Sequence, residues 1–193
     1  MFAPDLPLKT ARLVLRSFVR SDIEVLLDLQ SRPEVVRYMP WGARDRDEVT
    51  AVLEDRLSHH ALREEGERIT LAVTLAAGGA LIGDVVLKWI SEAHRQGEIG
   101  FSFLPEHQGR GYATEAVGPV LEMGFGGLGL HRIVGHCDPR NGPSVRLMER
   151  LGMRREAHLR ENECFKGEWA DELIYAMLAS EWRARPTRRE ETT

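Results

Sequence analysis

Residues 106–116 read EHQGRGYATEA and follow directly on EIGFSFLP, residues 98–105. An apolar run stopped by Pro105, two glycines around Arg110 and a helix-forming segment behind them describe a strand that turns straight into a helix. Such a turn is a seat for an anion. The first N–H groups of a helix have no internal acceptor, and the helix dipole favours negative charge beside them. Gly109 and Gly111 let the backbone approach a ligand closely and adopt positive φ, and Arg110 adds a cation. The same string also suits a plain tight turn with a solvated arginine. Two nucleotide motifs do not fit. A dinucleotide fingerprint needs a third glycine where Thr114 stands, and no G-x-x-x-x-G-K-[ST] string occurs.

Outward from this turn, the chain reads as one domain of residues 1–182 with a charged tail, 183–193, that is expected to fray. Residues 12–18 alternate as a strand, Ser21 and Glu24 form a capping box for a helix to Gln30, and Pro33 opens a short helical piece ending at Pro40. An amphipathic helix is expected from Asp45 to Glu65. Residues 69–75 and 81–90 are β-branched runs joined through Gly78 and Gly79, a hairpin signal. The helix behind the glycine turn is predicted over 112–125 with a bend at Pro119. Residues 131–137 form a strand, DPRNG a turn, and PSVRLMERL a helix closed by Gly152. RREAHL and ELIYAML are the last strands, around a loop of residues 160–171. Hairpins followed by strand–helix–strand–helix–strand predict an α+β domain with a mixed, mostly antiparallel sheet.

Composition narrows the function. A net charge of −4 argues against a nucleic-acid binder, whose footprint is a basic face. No apolar run reaches the ~20 residues of a membrane span, and the N-terminus lacks a signal pattern, so no membrane partner and a cytoplasmic setting are expected. Cys137 and Cys164 match no zinc spacing, and no metal is expected.

Gln108-Gly109-Arg110-Gly111-Tyr112-Ala113 matches the Q/R-x-x-G-x-G/A signature of the GCN5-related N-acetyltransferases. EIGFSFLPEHQGRGYATEA, GLHRIVGHCDPRNGPSVRLMERLGMRREAHLRE and FKGEWADELIYAML, in that order, resemble the RimJ/RimL-like branch, whose members acetylate the N-termini of ribosomal proteins. With ARLVLRSF near the start, the resemblance spans residues 10–180. It implies the GNAT fold, a twisted sheet of about seven strands flanked by helices, with two splayed parallel strands forming a cleft for acetyl-CoA. It places the diphosphate on the amides of Gly109, Arg110, Gly111, Tyr112, Ala113 and Thr114, with Gln108 of the signature also binding the cofactor, the pantetheine arm on Phe103 and Leu104, and a further bond to the arm at Asn141. The partners it implies are acetyl-CoA and an amine, and it leaves a homodimer open.

Forming an amide from a thioester needs a neutral amine and a proton for the departing thiol. An α-amine is already roughly 10–20% neutral at pH 7 and needs about 1.2 kcal/mol of help, whereas lysine needs about 4.6. A carboxylate acting through one water is enough for the first. By the resemblance, Glu163 is the first candidate base and Glu98 the second; the plain alternative for each is a surface carboxylate. His107, His136 and His158 are further candidates, because histidine is the side chain suited to proton transfer near neutral pH, but a lone histidine is more often structural. Many family members carry a tyrosine acid where this chain has Met148, which cannot donate a proton; the resemblance to the branch implies a serine near the helix start in the thiol region, which makes Ser144 the candidate acid, its plain alternative being a first-turn polar residue. Trp41 and Trp169 are candidates for lining the acceptor pocket, and the acidic segment after Arg160 suits a cationic amine. The leading function is acetyl transfer directly to a protein or peptide α-amine. The alternatives are an aminoglycoside- or polyamine-like small-molecule acceptor, and a non-catalytic acyl-CoA-binding module.

Overall fold

The alternation at residues 12–18 becomes β2 (Leu13–Arg16), which buries Leu13 and Leu15 completely and leaves Arg16 beside Asp22. The computed structural model describes residues 1–185, so most of the tail expected to fray, 186–193, lies outside the described residues. The other strands are β1 (Leu8–Lys9), β3 (Arg68–Leu75), β4 (Leu81–Ser91), β5 (Gln96–Phe103), β6 (Arg132–Cys137), β7 (Arg154–Phe165) and β8 (Glu168–Leu178). They form one eight-stranded sheet in the order β1-β2-β3-β4-β5-β6-β8-β7. Every pairing is antiparallel except β5 with β6.

Helices cover both faces. On one, Leu71, Val73, Leu87, Ile99 and Ile133 pack against α4 (Tyr112–Glu122) and α5 (Gly142–Arg150). On the other, Ala72, Leu81 and Leu104 meet Leu26 and Leu29 of α1 (Ile23–Ser31) and Val49 and Leu53 of α3 (Arg46–Ser58). The short α2 (Pro33–Val36) and α6 (Ala179–Arg183) complete the fold. Helix α4 runs through Pro119 and then widens into a π-helical turn, Met123–Gly127. Gly124 is needed in that turn, since a Cβ there would stand 2.7 Å from Ile133 Cδ1.

Three local expectations are corrected. Asp22, not Ser21, makes the box before α1. Its carboxylate accepts from the Val19 N–H at 2.8 Å and from both Arg16 Nη atoms, while Ser21 is exposed and Glu24 pairs with Arg46. Helix α3 stops at Ser58 rather than Glu65, because Leu62 is drawn into the core and exchanges two 2.7 Å backbone bonds with Phe2. The expected loop at 160–171 is instead the outer part of the β7–β8 hairpin, turned at Lys166 and Gly167, both at positive φ. Its ladder is interrupted between Leu159 and Glu163, where Glu161 takes positive φ and donates its N–H to Asp171.

A carboxylate ties the edge of the sheet to the start of α4. Glu115 accepts from Thr10 Oγ1 at 2.6 Å, from the Arg12 N–H at 2.8 Å and from Arg12 Nε at 2.7 Å. Burial works to raise the Glu115 carboxyl, but these donors outweigh it and hold it below the usual carboxylate range. A depressed carboxylate stabilises the fold above its unfolded pKa, and that contribution is lost as pH falls through the folded one. Glu115→Gln is therefore expected to cost about 2 kcal/mol at pH 7. The difference from wild type should shrink as pH falls below ~4, measured by urea unfolding at several pH values.

Candidate active site

The parallel pair β5–β6 is short. Its register runs from Gln96–Arg132 to Glu98–Val134 and stops there, so the strands part with Glu98 at the fork. The N–H of Leu104 donates to the Ile82 carbonyl at 3.0 Å, which sets the phase of the β4–β5 ladder. Even-numbered residues of β5 bond to β4, and Ile99, Phe101 and Phe103 turn their backbone groups toward the gap. The resemblance puts the pantetheine arm at Phe103 and Leu104. Leu104 is spent at both ends, because its carbonyl accepts from the His107 N–H at 2.9 Å. Phe103 keeps its N–H, while its carbonyl accepts from Gln108 Nε2 at 2.9 Å. The edge facing the gap is therefore centred on Phe101.

Beyond β5, a single turn (Pro105–His107) leads into the glycine loop. Gly109 and Gly111 both take left-handed φ, +72° and +79°, and Gly111 caps α4. Among the described residues, no group accepts from the backbone N–H groups of residues 109–114. A cleft of about 540 Å³ opens over them, with Arg140, Arg146 and Arg150 on its far wall. Free amides on a helix start, left-handed glycines and facing guanidinium groups fit a diphosphate. Arg12 braces the loop by donating from Nη1 to the Arg110 carbonyl at 3.2 Å and stacking on Tyr112. His107, also in this cleft, keeps a buried Nδ1 without a partner among the described residues.

A second cleft, of about 950 Å³, lies on the other side of the fork. The two share Tyr38, Met39, Phe101, Ser102, Asn141 and Ser144, so they meet where β5 and α5 face each other. The hairpin closes the far side. Lys166 Nζ donates to the Val36 carbonyl at 2.6 Å, and Tyr38 Oη donates to the Arg140 carbonyl at 3.2 Å. Trp41 lines the second cleft, whereas Trp169 stands 65% exposed and does not.

Glu98 and Glu163 both line this cleft, in different settings. Glu98 is half-buried on the central strand and has no hydrogen-bond or ion-pair partner among the described residues. Glu163 is exposed on the edge strand. His136 and Glu172 form a 2.8 Å pair at the same cleft, while His158 pairs with Asp171 on the exposed hairpin. Ser144 sits in the first turn of α5, where its N–H donates to Asn141 Oδ1 at 3.3 Å. Asn141 thus caps α5 with its oxygen and keeps its amide N–H₂ for another acceptor. Cys137 also lines the cleft, with its thiol pushed up to about 11 by burial and then by Asp138 and Glu172. A thiol that stays protonated is a poor nucleophile, which argues against an acyl-cysteine relay. Sequence reasoning missed Tyr38, whose hydroxyl lies where the clefts join. It stands between Pro33 and Pro40 in a stretch with no periodicity, and nothing there marks it.

The family model for the acetyltransferase (GNAT) domain matches residues 12–154. An uncharacterized N-acetyltransferase of Bacillus subtilis, YnaD, is 35% identical over 173 residues, covering 90% of this chain and 97% of that one. A GNAT-family acetyltransferase from Bacillus anthracis superposes with a TM-score of 0.81 at 32% identity, covering 91% of this chain and all of that one. The spermidine N-acetyltransferase of Vibrio cholerae, in complex with CoA and spermine, gives 0.77 at 27% identity, covering 90% and 99%.

Proposed function

The chain belongs to the GNAT acetyltransferase family and is an acetyl-CoA-dependent N-acetyltransferase, and from that premise we propose that its acceptor is a primary α-amine seated in the larger cleft. The observation that carries this is the parting of β5 and β6 at Glu98, which leaves a carboxylate with no partner among the described residues on the wall of the larger, acidic cleft, three residues along β5 from Phe101, where that cleft meets the one over the glycine turn. Bound acetyl-CoA supplies an activated acetyl thioester. The amides of residues 109–114 would hold its diphosphate, and the backbone of Phe101 with the N–H of Phe103 would meet the pantetheine arm, with Asn141 Nδ2 as a further donor. In this proposal Leu104, whose N–H and carbonyl are both engaged within the chain, is left out of the seat.

Glu98 takes the proton from the attacking amine, directly or through one water, and so maintains the neutral form. The modest help an α-amine needs is within reach of a single carboxylate base. Glu163 at the mouth attracts the ammonium form rather than accepting its proton. Ser144, at the junction, is the group able to protonate the departing sulfur, since the Tyr38 hydroxyl already donates its proton to the Arg140 carbonyl. Ser144→Ala is expected to lower kcat about tenfold with little change in acetyl-CoA affinity, read by stopped-flow and calorimetry. Equal rates would leave Ser144 as a first-turn residue alone.

A small-molecule acceptor is the second reading, and the Vibrio cholerae enzyme with its spermine is the observation in its favour. Thiol release measured across peptides, polyamines and amino sugars separates the two. Efficient turnover of peptides supports the α-amine, and turnover of polyamines alone overturns it. The RimJ/RimL-like branch, a cytoplasmic setting and a homodimer belong to this proposal as readings of the sequence. Among the described residues, no helix is long and apolar enough to cross a membrane.

A further inference from the structure

The larger cleft has two electrically different ends. Glu98, Glu163, Asp171 and Glu172 line one, beside the fork and the hairpin. Arg44, Arg56 and Arg68 line the other, beside α3. Two of these arginines are neutralised. Arg56 donates to Asp84 at 2.8 Å with both side chains about nine-tenths buried, and Asp84 is held in turn by Ser102. Arg68 pairs with Asp55 at 2.8 Å.

Arg44 has no carboxylate partner among the described residues. Its Nη1 donates to the neutral amide oxygen of Gln30 at 2.8 Å, and its guanidinium stacks on Trp41 with Cζ 4.5 Å from the ring centroid. Glu48 is the nearest acid to act on it and is engaged instead in the capping box of α3, accepting from the Asp45 N–H. Burial, then the neighbouring Arg56, weakens its hold on a proton, with Arg68 adding to this and Glu48 opposing. Trp41 adds a second unspent donor, because its buried Nε1–H has no acceptor among the described residues. A guanidinium in a cleft beside two other arginines, with only a neutral partner, is an anion seat that its own chain leaves unfilled.

We infer that the acceptor is zwitterionic, a dipeptide-like molecule whose carboxylate is held by Arg44 while its amine faces Glu98. This rests on the reading of the larger cleft as the acceptor site. A polyamine would bring its distal cation against the arginine end, where like charges repel. An α-amine that carries a nearby carboxylate satisfies both ends at once.

The test uses dipeptides and their C-terminal amides as matched acceptors, alongside spermidine, with wild-type enzyme, Arg44→Gln and Arg44→Lys. Wild type should favour the free acids over the amides by roughly tenfold to a hundredfold in kcat/KM, mainly through KM, as a charge-assisted bond predicts. Arg44→Gln should bring the free acids down toward the amides, and Arg44→Lys should keep part of the preference. Comparing acid-to-amide ratios between variants cancels the small difference in amine pKa. A wild-type ratio near one, a ratio unchanged by Arg44→Gln, or spermidine as the best acceptor overturns the anion seat while the transferase stands. If acetyl-CoA binds but none of these amines is acetylated, the cleft is not the acceptor site and both readings fall. Should Arg44→Gln not fold, the wild-type ratio and Arg44→Lys decide the matter.

Discussion

Gly111→Val is expected to raise the Kd for acetyl-CoA about a hundredfold, some 2.7 kcal/mol, without unfolding the protein. Gly111 sits at φ +79°, where a β-branched residue is a genuine outlier. A valine forced there costs about 1–2 kcal/mol, and the relaxation that relieves the strain turns the neighbouring amides away from a common focus. Losing one or two charge-assisted bonds to diphosphate, each worth about 1.5–3 kcal/mol, accounts for the size of the effect. Around the added Cβ, only Arg12 Nη2 comes within 4 Å, at 3.5 Å, so the loss is not one of packing. Gly118→Ala in the same helix is the control. Nothing lies within 4 Å of its Cβ and its φ is ordinary, so that change should leave affinity alone and slightly raise the melting temperature. Unchanged binding by Gly111→Val in folded protein would refute the cradle.

Glu98→Gln is expected to lower kcat/KM by about 15- to 30-fold at pH 6.5, the reciprocal of the neutral fraction of an α-amine at that pH. The sign of the pH dependence follows from the amine. Below its pKa of ≈ 7.7–8.0 the acceptor is mostly ammonium, and the variant must wait for the neutral fraction. Above that pKa the neutral form is abundant, so the deficit should shrink between pH 6.5 and 9. Glu163→Gln should show a much smaller loss, because Glu163 is exposed on the edge strand and not at the fork. Parallel pH–rate profiles for wild type and Glu98→Gln would remove Glu98 from the base role. A larger loss in Glu163→Gln would return that role to the hairpin.

The glycine turn was legible because its chemistry is local. Pro105, Gly109 and Gly111 carry backbone constraints that hold in any fold, and the helix behind them follows. The strand before it was legible too, yet its free edge was placed at Phe103 and Leu104. Which backbone groups face the gap depends on the phase of the β4–β5 ladder, a pairing that no single strand encodes. The outer hairpin was hidden for a related reason. Residues 160–169 are exposed on both faces except Phe165, so they lack the period of two that marks a half-buried strand. Ser21 and Glu24 match the capping-box pattern, but Asp22 wins because Arg16 and the Val19 N–H are already placed by the fold to meet it. The ranking of Glu163 above Glu98 followed the resemblance. The proposal ranks Glu98 first because β6 leaves β5 there, a feature of tertiary structure. Tyr38 and Arg44 were invisible for the same cause: one is placed by its bond to the Arg140 carbonyl and the other by its bond to Gln30 of α1, contacts that no local pattern records.

The most direct measurement is amide hydrogen exchange, resolved by residue, with and without acetyl-CoA. Protection concentrated at the N–H groups of residues 109–114, with smaller protection at Phe101 and Phe103, is the predicted result. Binding that leaves those amides exchanging at their free rates would contradict the account.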